Sequence, residues 1–249
     1  MKEKIKALFD YRRIPWLLDF STFPDKEAFM TQLVALQYAI YELDLFLESN
    51  WAINEKMLED YWKEIYRLLL QMNLKNDELP SWVHEIKIYQ ARELALRDQI
   101  SPVKHDIENL YHHKSCDVRL IRRLIYRLDP RIEDTIPFLD WTEFDLLTEV
   151  NDDLEDLIED MSTLNGNRFL FTIYEKGSAE TERVYHQFIL DKMEKANKRF
   201  AQALGARRHL FKVISRIGED TQKLLKERLS ELNLEKLQSS KVILAYEPR

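Results

Sequence analysis

Glycine is nearly absent from this chain, and that scarcity limits what it can fold into more than any other feature. Only Gly166, Gly177, Gly205 and Gly218 occur among 249 residues. The one Asn-Gly dipeptide, Asn165-Gly166, is not flanked by alternating apolar residues. Tight hairpins need residues that tolerate positive φ, so an antiparallel β architecture has almost nothing to turn on. A charged fraction of 33% beside a hydrophobic fraction of 45% fits long helices with one buried and one solvated face. The expected fold is all-α, one domain over residues 1–249, in a bundle of about ten helices.

Prolines and capping residues divide the chain. Pro15 and Pro24 bracket an aromatic entry segment. Asp25 opens a helix to about Asn50, with Phe29, Leu33, Leu36, Ile40, Leu43 and Leu47 on one face. Asn54 caps the next, which carries Leu58, Trp62, Ile65 and Leu69 and ends before Pro80. Ser81 to about Gln99 reads as helix. Ser101-Pro102 is a cap and first-turn proline for a helix to about His113. A basic helix runs from Cys116 to Leu128, and residues 130–140 form a broken connector. Thr142 with Asp145 resembles a capping box for a helix reaching about Leu164. Asn165-Gly166-Asn167 kinks or ends it. Helices follow over 178–204, 206–217 and 219–234, with a short tail from Ser239.

Some classes of function fall away. Cys116 is the single cysteine, so no internal disulfide forms, and a cytoplasmic location is the default. No apolar run approaches the roughly 20 residues that span a bilayer. The net charge of −7 argues against general nucleic-acid binding. A homodimer stays open.

The segment from Glu149 to Asp160 is the unusual one. Seven of its twelve residues are acidic and none is Lys or Arg. Glu149, Asp153, Asp156 and Asp160 form a stripe beside the apolar one of Leu146, Val150, Leu154, Leu157 and Met161. Like charges at such spacings cost roughly 0.2–0.5 kcal/mol per pair. Water and salt, a basic helix, or divalent cations must neutralise them. Mg²⁺ is one answer, since it takes hard oxygen ligands and bridges to phosphates. A solvated acidic face is the other. A second acidic pair, Asp44 and Glu48, sits one turn apart within Tyr41-Glu-Leu-Asp-Leu-Phe-Leu-Glu48. Such a carboxylate is costly beside apolar surface unless paired with an arginine or a metal.

Together the two segments resemble the class I isoprenoid synthases, nearest the squalene/phytoene synthase or terpene cyclase branches. Asp152-Asp-Leu-Glu-Asp156 is similar to the second D-x-x-E-D motif of the former, and Asn151-Asp152 with Glu155 and Glu159 to the cyclase motif. Leu43-Asp44-Leu-Phe-Leu-Glu48 resembles the first motif in reduced form. The resemblance implies a helical bundle around a central cavity. It implies Mg²⁺ held by Asp44, Glu48, Asp152, Asp153, Asp156 and Asp160, with a prenyl diphosphate as the substrate to be ionised for cyclisation or condensation. Arginines would complete the diphosphate clamp, with Arg119, Arg122, Arg123 and Arg127 on the basic helix and Arg168 as candidates. Arg suits the task because its planar fork donates bidentately.

Two rival readings stand beside it. His105-Asp106, with His84, His112, His113 and Asp117 nearby, suggests an HD-type or all-α metal phosphohydrolase. A helical interaction or scaffold protein, whose acidic helix binds a basic partner, explains the charge run without chemistry.

Overall fold

A computed structural model describes residues 2–247 of the chain, Lys2 by its backbone alone. It is 80% helical and, among the described residues, has no strand. The helices are α1 (Lys2–Tyr11), α2 (Ile14–Asp19), α3 (Lys26–Ser49), α4 (Glu55–Gln71) and α5 (Leu79–Trp82). They continue as α6 (His84–Ala95), α7 (Ile107–Lys114), α8 (Cys116–Leu128), α9 (Ile132–Thr135) and α10 (Thr142–Glu155). The last are α11 (Leu157–Asp160), α12 (Arg168–Phe200), α13 (Gly205–Glu231), α14 (Leu234–Gln238) and α15 (Lys241–Tyr246). No helix among the described residues is long and apolar enough to cross a membrane.

The chain forms two compact units, one of residues 1–91 and 116–134, the other of residues 92–115 and 135–249. In the first, α3 packs on α1, α4 and α8 through the expected apolar face, with Leu33, Leu36, Ile40, Leu43 and Leu47 all buried. Asp25 accepts from Ala28 N at 3.1 Å and Asn54 from Met57 N at 3.1 Å, so both expected caps form. Asp129 then accepts from both Thr22 N (2.8 Å) and Thr22 Oγ1 (2.9 Å), fixing the end of α8 to the loop before α3.

In the second unit α10 is central and packs on α7, α12 and α13. From Glu143 to Leu154 every residue but Asp152 is buried. A helix enclosed on all sides must satisfy its polar side chains internally.

Several expected boundaries shift. Thr142 caps nothing: its hydroxyl donates to Leu139 O at 2.9 Å, and α10 has no side-chain cap. That helix stops at Glu155 rather than near Leu164, and a short turn, α11, follows. Like charges one turn apart weaken it there, and Arg228 Nε caps the Leu154 carbonyl from α13 at 2.8 Å. Ser101-Pro102 opens only a three-residue 3₁₀ turn, Pro102–Lys104; Asp106 is the N-cap of α7. Residues 206–217 and 219–234 are not two helices, because Gly218 lies inside the continuous α13. A Cβ there would fall 2.3 Å from Met193 Cγ, so glycine permits a close approach to α12 rather than a break. Gly177 does punctuate, with φ 78° and a kink within α12. The tail is docked through α15: Lys241 N donates to Met161 O at 2.8 Å, and Val242 and Ile243 are buried.

Candidate functional site

The acidic stripe faces the interior of the second unit. Glu149, Asp153 and Asp160 are 4%, 1% and 6% exposed, which excludes a solvated face for them. Asp156, Glu155 and Glu159 are exposed, and Asp152 is half-buried.

Asp153 is the hub. Its Oδ1 pairs with the Lys114 ammonium at the end of α7. Its Oδ2 accepts from the Tyr111 hydroxyl at 2.8 Å and from Arg168 N, at the start of α12, at 3.0 Å. Tyr185 on α12 meets the Tyr111 hydroxyl at 2.8 Å. Because the Tyr111 proton is directed to Asp153, Tyr185 is the donor in that contact. Burial first, then the Asp153 charge, pushes the Tyr111 pKa well above its ordinary value. Burial works to lower the Lys114 pKa, but Asp153, Glu149 and Asp160 outweigh it and hold it well above normal.

Asn167 joins the two ends of the acidic segment. Its Nδ2 donates to Asp153 O at 2.7 Å and Asp160 Oδ2 at 2.8 Å, while its Oδ1 caps α12 through Leu170 N at 2.9 Å. The Asp160 carboxyl is pushed up to about 7, by burial first and by Asp153 and Asp156 as well, against the opposing effects of Lys114 and Asn167. Burial and then Asp152 raise the Asp156 pKa.

Beside this acidic cluster lies a cationic one. Arg168 is 5% exposed, and its Nε and Nη1 have no hydrogen-bond partner among the described residues. Its Nη2 reaches His105 O at 3.5 Å, and the guanidinium lies 6.0 Å from the centre of the Tyr185 ring. Arg92 donates to Asn109 Oδ1 at 2.6 Å, and His113 Nδ1 lies 2.8 Å from Asn109 O. Burial first, then Arg92, Arg168 and His113, lowers the His105 pKa, so this corner is electrostatically positive.

No family model, curated protein or solved structure matches the chain.

The arginines of α8 and the carboxylates of α3 lie in the first unit, whereas His105-Asp106 lies in the second. Arg119 pairs with Glu85 at 3.2 Å, and Arg127 forks onto Glu78 at 2.9 and 3.3 Å. Arg123 stacks 4.4 Å from the Trp82 ring centre, and Arg122 is fully buried, donating to Arg12 O at 3.1 Å. Asp44 and Glu48 are half-buried on α3. Asp106, of the His-Asp pair, spends its carboxylate capping α7 at Asn109 N, 2.9 Å away.

Sequence reasoning missed Lys114, Tyr111, Tyr185 and Arg92. Tyr111 and Lys114 share a helix face at a spacing of three, which is the one local signal. Tyr185 carries none, since its partner lies 74 residues away.

Among the described residues, no group of three or more His, Cys, Asp or Glu side chains is arranged to hold a metal ion. Mg²⁺ bound through one or two carboxylates and a substrate's phosphates requires no such group.

Proposed function

We propose that the chain binds a prenyl diphosphate with Mg²⁺ and ionises it by releasing the diphosphate. The observation that carries this reading is Arg168, a buried guanidinium with two unpartnered N–H donors beside a crowded carboxylate cluster. A buried donor left unmade costs roughly 1–3 kcal/mol, more when charged, so a site that retains one is suited to a ligand that completes it. An oxyanion of a phosphate fits that geometry and charge. Arg92 adds to the favourable potential.

Asp152, Asp156 and Asp160 fit Mg²⁺: burial first, and neighbouring carboxylates second, raise the Asp156 and Asp160 pKa values, and a bound cation would favour the charged forms against both. Asp153 fits less well, both of its oxygens being already bonded. Asp44 and Glu48 lie in the first unit, and only the resemblance connects them with Mg²⁺. Bound Mg²⁺ would supply Lewis-acid stabilisation of the departing diphosphate. Arg168 would hold a phosphate oxygen and neutralise the charge that grows as the carbon–oxygen bond breaks. Lys114, engaged with Asp153, positions α7 against α10 rather than acting on the substrate.

Thermal melting with Mg²⁺ and pyrophosphate tests the site. Stabilisation that needs both, about 2.7 kcal/mol at a hundredfold excess over Kd, is expected for the native chain and absent in Arg168→Gln. Asp156→Ala is expected to abolish Mg²⁺-dependent release of diphosphate from a prenyl diphosphate while the fold survives. No shift with any ligand combination, or equal shifts in the Arg168→Gln protein, removes the reading.

A further inference from the structure

The first unit contains a groove of about 1350 Å³ between α1, α3 and α4 that plays no part in the site above. Its wall on α3 is built from Met30, Val34, Ala35 and Tyr38, and its wall on α4 from Met57 and Tyr61. Tyr38 is 41% and Met57 46% exposed, unusual for large apolar side chains that lie together. The volume exceeds the roughly 300–1,000 Å³ of ordinary small-molecule pockets. It matches about ten residues of α-helix, taking a cylinder about 11 Å across with a rise of about 1.5 Å per residue.

Charge selects the occupant. The lining includes five carboxylates (Asp10, Glu27, Glu42, Asp60, Glu64) against only Lys6 and Arg67. Arg67 and Glu64 neutralise each other through contacts of 2.7 and 2.6 Å, Lys63 pairs with Asp60 at 2.7 Å, and Lys6 pairs with Glu3 at 3.0 Å, so Asp10, Glu27 and Glu42 carry the excess charge. The rim is therefore negative around an apolar floor. An anionic membrane surface or a fatty carboxylate would be repelled by it. A helix with an apolar face and flanking Lys or Arg would bury the first in the groove and place the second against the carboxylates. The methionines suit such a ligand, since their unbranched side chains repack around different apolar faces.

The geometry points to a docking groove for a basic amphipathic helix of a partner protein. The site is separate from Arg168 and does not depend on diphosphate chemistry.

A fluorescein-labelled 18-residue Leu/Lys peptide of helical periodicity is the probe, titrated into the full chain and followed by anisotropy. A scrambled peptide of the same composition and a Leu/Glu counterpart are the controls. Saturable binding of the Leu/Lys peptide alone is expected. Ala35→Trp, which fills the floor, and the surface pair Asp10→Lys with Glu27→Lys should each weaken it about tenfold or more. Melting curves establish that each variant is folded, and the charge pair keeps the test valid if the tryptophan variant is not. Equal binding of the scrambled peptide, or unchanged binding by the charge pair, overturns the proposal. So does self-association of the chain that the charge pair abolishes, which assigns the groove to a second copy. Stabilisation by farnesol that displaces the peptide overturns it too, in favour of a lipid chain.

Discussion

Lys114 neutralises Asp153 inside the second unit, a pairing that joins the last turn of α7 to the last turn of α10 across 39 residues of sequence. The Lys114 side chain is 18% exposed and that of Asp153 0%, so the carboxylate is the member that depends on the pair. Breaking a buried pair by removing one partner is costly because the other charge is left uncompensated. Asp153→Asn and Lys114→Met are each expected to lower the unfolding free energy by about 3 kcal/mol in urea titrations. The double variant should lose less than the sum. Single losses below about 0.5 kcal/mol would show that the pair gives no net stability. Because the Lys114 pKa is raised on folding, its contribution is complete below the unfolded value and disappears as pH rises through the folded one.

Asp160 has the same sign at lower pH. Its carboxyl is pushed from 3.8 up to about 7 on folding, so the native state holds the proton more tightly than the unfolded chain. Stability should therefore fall as pH rises from about 4 to about 7, by on the order of 4 kcal/mol at about 1.4 kcal/mol per pKa unit. Asp160→Asn, which keeps an acceptor for Asn167, should flatten that slope and raise the melting temperature at pH 8. A native protein whose melting point is constant between pH 4 and 7 would contradict this.

The helices and their apolar faces were legible in the sequence because local periodicity and caps decide them. Asp25, Asn54 and the α3 stripe act within one or two turns of themselves. The ends of α10 were not legible, since the interactions that end it come from Arg228 and Asn167. The same holds for the site. The acidic run was visible as a charge anomaly, but its neutralisation by Lys114 and its hydrogen bond from Tyr111 are tertiary. Arg119, Arg123 and Arg127 looked equivalent to Arg168 as candidates, and only packing separates three bound side chains from one with unpartnered donors.

Asn167 makes three side-chain hydrogen bonds at 0% exposure. Asn167→Ala removes a cap worth about 1 kcal/mol and strands two buried acceptors. A loss on the order of 3 kcal/mol is expected from chemical denaturation, with Asn167→Asp also destabilising because it adds a charge beside Asp160. A change under about 1 kcal/mol in the alanine variant would mean that water replaces the amide without cost.

Gly218 gives a test of close packing between α12 and α13. Glycine to alanine in a helix interior ordinarily gains about 1 kcal/mol. Here the new methyl would meet Met193 Cγ at 2.3 Å and Sδ at 2.6 Å. Gly218→Ala is expected to be destabilising by about 1–3 kcal/mol. Adding Met193→Ala should recover part of it. A stabilised Gly218→Ala protein would show that the methionine swings aside freely.

The division of the chain bears on its biogenesis. The first unit needs α8, which packs on α2 and α3, yet residues 92–115 belong to the other unit and are translated before it. A nascent chain released after α6 thus lacks a wall of its own core, with the apolar faces of α2 and α3 open to solvent. Completion must wait until Leu128 clears the ribosomal tunnel, and at about 5–20 residues per second that wait is a matter of seconds. It is the interval in which a chaperone would find this protein.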